Sequence, residues 1–193
     1  MNNRVNLSIN LGNLQLKNPV MPASGTFDIR DTILNKEQLN SLGAIITKSI
    51  ASRKRSGNPG PRIWETEAGM MNAVGIPAEG FEYFKENILP LLEDFYVPVI
   101  VSVVGDSITD FCHLAKKLDN FKKISALEIN LSCPNLNDGL YFGTNKDILG
   151  DLIYQFKKNT GKVVMAKLSP NVTDITEMAL TAEEAGADII IIA

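Results

Sequence analysis

The side chains with the clearest capacity for chemistry stand where apolar runs of the sequence end. Ala126–Leu131 is such a run, and it leads into Ser132, Cys133 and a proline that stops a strand. Glu128, Asn130 and Ser132 are spaced two residues apart along the run. Because side chains of a strand alternate between its two faces, these three are expected to share one face. Polar groups at the end of a buried strand are costly unless a partner pairs with them. The segment therefore predicts a small polar ligand at the carboxyl end of a strand.

Other predicted strand ends carry groups that suit the same ligand. Lys48 and Lys167 each close an apolar run, and a lysine held in a barrel mouth is a cation for an anionic ligand. Ser24 and Ser102 lie at the ends of two further runs, and Asn72 lies in a long loop. Asparagine offers a donor and an acceptor, which suits the edge of a heterocycle. Taken singly, these residues have ordinary explanations: solvated lysines, turn asparagines and a buried, unreactive cysteine.

Composition excludes several classes of function. The chain has 193 residues, of which 45% are hydrophobic and 21% charged, and this is typical of a soluble globular protein. Its net charge of -3 gives no electrostatic footprint for nucleic acid. No apolar run reaches membrane-spanning length, the start lacks a signal-peptide pattern, and two cysteines make no disulfide framework, so we expect a cytoplasmic location. The single histidine, His113, is predicted to lie on the surface. A catalytic triad with histidine or a zinc site with histidine ligands is therefore not expected.

Apolar strands alternate with amphipathic helices along most of the chain, a pattern typical of parallel βαβ units. The patterns predict a hairpin over 7–16, strands over 19–25, 44–48, 98–105, 126–131, 163–167 and 188–193, and helices over 36–42, 81–95 with a break at Pro90, 107–119, 146–159 and 173–185. Residues 50–77 are predicted to form a long irregular loop, packed through Trp64 and Met70-Met71. No Gly-x-Gly-x-x-Gly follows the first strand, which argues against a dinucleotide-binding Rossmann domain. We predict the α/β class: an incomplete (β/α)8 TIM barrel with about six units, one partial domain over 1–193 with a short N-terminal hairpin.

Six short motifs occur in a specific order along the chain. They are Asn18–Gly25 (NPVMPASG), Lys48-Ser49, Gly57–Arg62 (GNPGPR), Asn72–Ile76 (NAVGI), Asn130–Asn135 (NLSCPN) and Lys167–Asn171 (KLSPN). Together they closely resemble the class 1 dihydroorotate dehydrogenases over nearly the whole chain. The third and fourth motifs are most similar to the NAD-linked type B catalytic subunit, which works with a separate subunit that carries FAD and an iron–sulfur cluster.

The resemblance implies an FMN enzyme that oxidises (S)-dihydroorotate to orotate in pyrimidine (UMP) biosynthesis. Cys133 would be the general base that removes a proton from C5 while a hydride passes from C6 to flavin N5, and 136–143 would be a lid. By the resemblance, Lys167 would face the pyrimidine end of the flavin. The implied substrate-binding residues are Lys48, Asn72, Ala73, Val74, Gly75, Ile76, Asn130 and Asn135. The implied FMN-binding residues are Ser24, Gly25, Lys48, Ser49, Ser102, Asn130, Lys167 and Ala193.

Two departures from the family pattern matter. The first is at Ser102, where many relatives have asparagine. The second is at Ala193, because family members continue past this position into further strands whose loops bind the FMN phosphate. We therefore expect the chain to be part of a longer protein. The resemblance also implies a homodimer, or a heterotetramer with the FAD and iron–sulfur subunit that passes electrons to NAD.

Several alternatives remain open on the residues. A fumarate-linked dihydroorotate dehydrogenase would share the site, and so would a dihydropyrimidine dehydrogenase-like FMN domain that reduces uracil or thymine. The carboxylate contacts expected of Lys48 favour dihydroorotate over uracil. A different class would be an aldolase with a Schiff-base lysine at Lys48 or Lys167, or a barrel without catalysis.

Overall fold

The computed structural model of the chain describes residues 5–26, 28–30, 35–132 and 142–192. The strands are β1 Ile9–Leu11, β2 Leu14–Leu16, β3 Ile45–Ile46, β4 Ile63–Thr66, β5 Gly69–Asn72, β6 Val99–Val103, β7 Ile124–Asn130, β8 Val163–Leu168 and β9 Ile189–Ile192. The helices are α1 Lys36–Ser41, α2 Phe81–Tyr83, α3 Leu89–Leu92, α4 Ile108–Asp119, α5 Lys146–Lys157 and α6 Ile175–Glu184. In these ranges no helix has both the length and the apolar character needed to cross a membrane.

One parallel sheet of five strands carries the predicted strand ends. Its order is β3-β6-β7-β8-β9, so each strand pairs with the next barrel strand along the chain. Alternate residues of the strands face two different apolar clusters, as the period of a strand requires. The outer face, with Val101 and Leu127, packs against helix residues such as Phe111 and Phe156. The opposite face is covered near its base by the N-terminal hairpin, and the whole is the predicted (β/α)8 barrel in partial form.

The inner face is defined here by Ile100, Ala126 and Met165, which form a separate apolar cluster with Leu14 and Leu16. The two leucines belong to the hairpin of β1 and β2, which was predicted from the sequence and is confirmed. The hairpin therefore fills the barrel beneath the strand ends and leaves the upper part of the inner face to polar side chains.

Helix signals in the sequence account for most helix ends. Ser107 was predicted as a cap and is one, since its hydroxyl accepts from the backbone N–H of Asp110 at 3.1 Å. Asn145 and Asp174 cap α5 and α6 in the same way. Gly186 follows α6 with a φ of +102°, a conformation that favours glycine. The helix is not broken at the predicted position, since Pro90 lies inside α3; the irregularity comes one turn earlier, as a π-helical turn over Phe84–Ile88 between α2 and α3.

Two predictions about the first half of the chain are wrong. Residues 19–25 form no strand, because Pro19 and Pro22 lack the N–H groups that a regular ladder needs. Among the described residues they are joined to the segment before β3 by a backbone bond from the N–H of Gly43 to the carbonyl of Val20 at 2.7 Å, and Met21 packs against the inner apolar cluster. Five of the six predicted barrel strands therefore enter the sheet of the described residues.

The segment 50–77 is neither irregular throughout nor packed through its large side chains. β4 and β5 form an antiparallel hairpin in which Trp64 lies opposite Met71. Trp64 is 64% exposed, Met70 65% and Met71 62%. The contacts of Trp64 that the sequence suggested are thus made across the hairpin and not with the core.

Candidate active site

Side chains from three neighbouring strand ends form one hydrogen-bond network. Asn130, the last residue of β7, donates through Nδ2 to the Oγ of Ser49 at 3.1 Å. The Oγ atoms of Ser49 and Ser102 are 2.8 Å apart, and either can be the donor. Ser132 donates through Oγ to the Oδ1 of Asn130 at 2.7 Å, so these two residues share a face as predicted. Because both ends of the Asn130 amide are engaged, its orientation is fixed before any ligand binds.

Lys167 enters the same edge from β8, beside β7. Its backbone lies in register with that of Asn130, and its Nζ donates to the Oγ of Ser24 at 3.0 Å. The side chain is half-buried, and an ammonium has three N–H donors, so two remain for a ligand. Gly25, next to Ser24, has a φ of +82°, and a Cβ added there would meet no atom of the described residues within 4 Å. Open space therefore lies beside the fixed cation.

Lys48 occupies a different environment from the network. Its side chain is exposed, and among the described residues no hydrogen bond joins it to Ser49, Ser102 or Asn130. It lines a cavity of about 150 Å³ that Ser49 of the network also lines, together with Asp28, Arg30, Thr47, Glu79, Tyr83 and several apolar residues.

The wall of this cavity contains a charged cluster that the sequence did not reveal. Arg30 donates through Nε to Asp28 Oδ1 at 2.8 Å and through Nη1 to the phenol oxygen of Tyr83 at 3.0 Å. The hydrogen bond and charge of Arg30 lower the pKa of Asp28 to about 2, against the opposing effect of burial. Arg30 and Tyr83 are 53 positions apart in the sequence, so no local pattern predicts their contact.

The predicted substrate segment 72–76 is held through its backbone. Asn58 donates through Nδ2 to the carbonyl of Ala73 at 3.0 Å, and its own N–H donates to the carbonyl of Val74 at 3.2 Å. Arg62 Nε donates to the carbonyl of Asn58 at 2.6 Å. The motif Gly57–Arg62, recognised from the sequence without a role, thus supports the segment.

The conformation of this segment is unusual. Gly75 has a φ of +74° and Ile76 a φ of +46°, which an isoleucine rarely adopts. Asn72, Ala73 and Val74 are exposed, while the two residues that follow are half-buried. In the described part of the chain, no hydrogen bond links the segment to the strand-end network.

Cys133, Asn135 and Ala193 lie outside the described residues, and so does most of the predicted lid over 136–143. The lid's last two residues are described: Phe142 is buried, and its ring packs edge-on against Phe111 with centroids 5.6 Å apart. The other cysteine, Cys112, lies on α4, where burial raises the pKa of its thiol.

One buried group of the inner face was noted only for its parity. Glu128 is 1% exposed, and its Oε1 has no hydrogen-bond partner in the described part of the chain. Parity predicts the face, but no sequence pattern indicates that Oε1 of this carboxylate lacks a partner among the described residues.

Comparison with known proteins decides the family. The family model described as dihydroorotate dehydrogenase matches residues 6–193. The chain belongs to the dihydroorotate dehydrogenase family. The type B catalytic subunit (NAD(+)) of Carboxydothermus hydrogenoformans is 43% identical over 185 residues, covering 95% of this chain and 60% of the relative. That of Malacoplasma penetrans is 44% identical over 189 residues, covering 97% of this chain and 62% of the relative.

A solved structure of this family confirms the fold. The dihydroorotate dehydrogenase of Eimeria tenella, in complex with ferulenol, aligns with a TM-score of 0.75 at 21% identity, covering 96% of this chain and 58% of that one. The chain thus spans about three fifths of the length of these curated relatives, and its fold corresponds to that share of a dihydroorotate dehydrogenase barrel.

Proposed function

We propose that the full-length protein oxidises (S)-dihydroorotate to orotate, a step of pyrimidine (UMP) biosynthesis, with FMN as its cofactor. The observation that supports this most is the set of donors on one strand edge. The amide of Asn130, the ammonium of Lys167 and the hydroxyls of Ser24 and Ser49 meet there, in a chain of the dihydroorotate dehydrogenase family.

The residues present fit FMN. A flavin ring needs donors and acceptors along its pyrimidine end, which Lys167 and Asn130 supply, and the backbone at Gly25 has no side chain that would obstruct it next to Ser24. The residues that would hold FMN are Ser24, Gly25, Lys48, Ser49, Ser102, Asn130 and Lys167, with Ala193 from outside the described part. FMN, when bound, supplies the hydride acceptor. Lys167 would stabilise negative charge at the pyrimidine end.

The substrate would lie between this edge and the segment 72–76. The exposed Lys48 ammonium is available to its carboxylate, and Asn72–Ile76, Asn130 and Asn135 would hold the ring. Cys133 acts as a thiolate that takes the proton from C5, while the hydride leaves C6, so that a C5–C6 double bond forms. A thiol suits this step because its ordinary pKa of about 8.5 is close to the working pH.

Partners follow from the same assignment. The relatives are called catalytic subunits of an NAD(+) enzyme. We extend this to a cytoplasmic protein that forms a homodimer, or a heterotetramer with an FAD and iron–sulfur subunit that passes electrons to NAD.

The test is the rate at which dihydroorotate bleaches the flavin absorbance anaerobically in the full-length protein. We expect Cys133→Ala to keep the flavin and to slow bleaching by about 100-fold or more, the usual contribution of a general base. Cys133→Ser should retain a small part of the rate. Cys112→Ala is the matched control, since this cysteine lies on α4, and it should bleach at the wild-type rate.

Two outcomes would contradict the proposal. Wild-type bleaching in Cys133→Ala would exclude this residue as the base. A wild-type protein that is bleached or turned over by a dihydropyrimidine without a carboxylate as readily as by dihydroorotate would contradict the assigned substrate.

A further inference from the structure

Glu128 is a buried acidic residue that the proposed reaction does not use. It lies in the middle of β7 with 1% of its surface exposed, and Oε1 is buried without a hydrogen-bond partner among the described residues. Leaving a carboxylate oxygen unpaired in an interior is unfavourable, so such a group in a native sheet requires an explanation.

The alternation of β7 places Glu128 on the inner face. Ala126, two residues before it, belongs to the inner apolar cluster, and Asn130, two residues after it, carries the strand-end network. Across the sheet, Glu128 lies opposite Ser102 on β6 and Met165 on β8. The carboxylate therefore lies one layer below the proposed cofactor site.

Lys167 is the cation nearest to Glu128 in register. Asn130 pairs with Lys167 and Glu128 with Met165, so Glu128 and Lys167 are diagonal neighbours on adjacent strands. The two groups form no direct ion pair among the described residues, so the carboxylate acts on the ammonium through space, from one layer of the sheet below it. Lys167 is also half-buried and points its Nζ to Ser24, which places the ammonium inside the mouth.

No other described strand offers a comparable charge on this face. Ser102 faces it from β6, and the apolar Ile189 and Ile191 face it from β9. Lys48 shares the parity on the β3 side, but it is exposed and lies two strands away from β7.

We propose that Glu128 tunes the charge of the proposed cofactor site, because its buried carboxylate is the counter-charge of Lys167. The weakly polar interior strengthens the attraction between the two charges across this separation, so the carboxylate offsets part of the positive charge of the ammonium. This rests on the proposed function in one respect, namely that the ligand above Lys167 is FMN. Given FMN, Glu128 makes its reduction less favourable than a lone lysine would, because reduction adds negative charge next to the pair.

The test is the midpoint potential of FMN in the full-length protein, measured by dye equilibration. Glu128→Gln should favour reduced FMN about tenfold in the two-electron equilibrium, a rise of about 30 mV. In a Lys167→Met background the same substitution should leave the potential unchanged, because the cation that it acts through is gone. Glu177→Gln is the control: Glu177 pairs with Lys146 at 2.5 Å on the surface, and its removal should not shift the potential.

A second measurement does not depend on the flavin or on the folding of Glu128→Gln. Removal of the cation in Lys167→Met should make Glu128 take up a proton, and the infrared spectrum should gain the carbonyl band of a protonated carboxylic acid. An unchanged potential in Glu128→Gln, or that band already present from Glu128 in the wild type, overturns the pairing. A wild-type protein that binds no FMN contradicts the proposed function instead, and the infrared result then decides the pairing alone.

Discussion

The two sides of the candidate site are built by different means. On the sheet side, buried hydroxyls carry the contacts: Ser102 is 0% exposed and Ser49 8% exposed, and both bond through their side chains. On the loop side, over 55–78, the contacts run through the backbone. Arg55 and Ala78 exchange backbone bonds of 2.7 and 3.0 Å, and between them the β4–β5 hairpin exposes its large side chains.

This contrast separates what each side contributes. The sheet side presents fixed donors, since rigid strands hold the atoms that would meet the cofactor. The loop side presents a backbone shape, fixed by glycine and by the bracing of Asn58. Substitutions on the sheet side should therefore act through lost hydrogen bonds, and those on the loop side through backbone conformation.

The largest effect is expected on the loop side, where Gly75→Ala should disturb the backbone conformation of the segment 72–76. A Cβ at this position would lie 2.5 Å from the backbone nitrogen of Asn58, and the φ of +74° is strained for alanine. We expect the segment to move at a cost of about 3 kcal/mol, raising the KM for dihydroorotate at least about tenfold in steady-state assays while flavin content stays at the wild-type level. Gly69→Ala is the control, because its added Cβ would meet only Thr66 Oγ1, at 3.9 Å. Equal KM values in both variants would contradict backbone control of this segment.

On the sheet side the corresponding change is Ser49→Ala. It removes the acceptor of Asn130 Nδ2 and the partner of Ser102 Oγ, and it leaves both atoms largely enclosed. We expect a loss of about 2 kcal/mol in the free energy of unfolding, measured by urea titration, together with weaker retention of FMN. Ser8→Ala, at an exposed serine that bonds only to Asn6, should cost much less. A cost for Ser49→Ala no larger than that of the control would show that the network contributes little.

The same contrast explains what the sequence could predict. The apolar runs predicted five strands of the sheet, and the caps at Ser107 and Gly186 were read correctly, because these signals are local. In 19–25 two local signals conflict: the apolar residues indicate a strand, whereas the prolines, such as Pro22, lack the N–H groups that a ladder needs, and the prolines determine the outcome. Site residues of the sheet side followed from strand ends and parity, as in the pair Asn130 and Ser132.

The rest depends on contacts between distant residues. The support of Ala73 by Asn58 spans 15 positions, and the pairing of Trp64 with Met71 depends on a turn that no strong turn motif announces. Individual roles in catalysis come from the resemblance, since the position of a thiol at a strand end by itself favours an inert core cysteine over a base.

The smallest effect is expected at Trp64. This substitution tests whether the exposed side chains of the loop side contribute to the free energy of unfolding. Trp64→Ser should change the free energy of unfolding by less than about 0.5 kcal/mol, because the ring is 64% exposed and contacts its neighbour across the hairpin. Leu127→Ala, at a fully buried position of β7, should cost about 2–5 kcal/mol in the same urea titration. A loss at Trp64 that approaches the Leu127 value would mean that the hairpin packs against a further surface in the full-length protein. In that case the loop side would also depend on side-chain burial, and the difference between the two sides would hold only within the residues described.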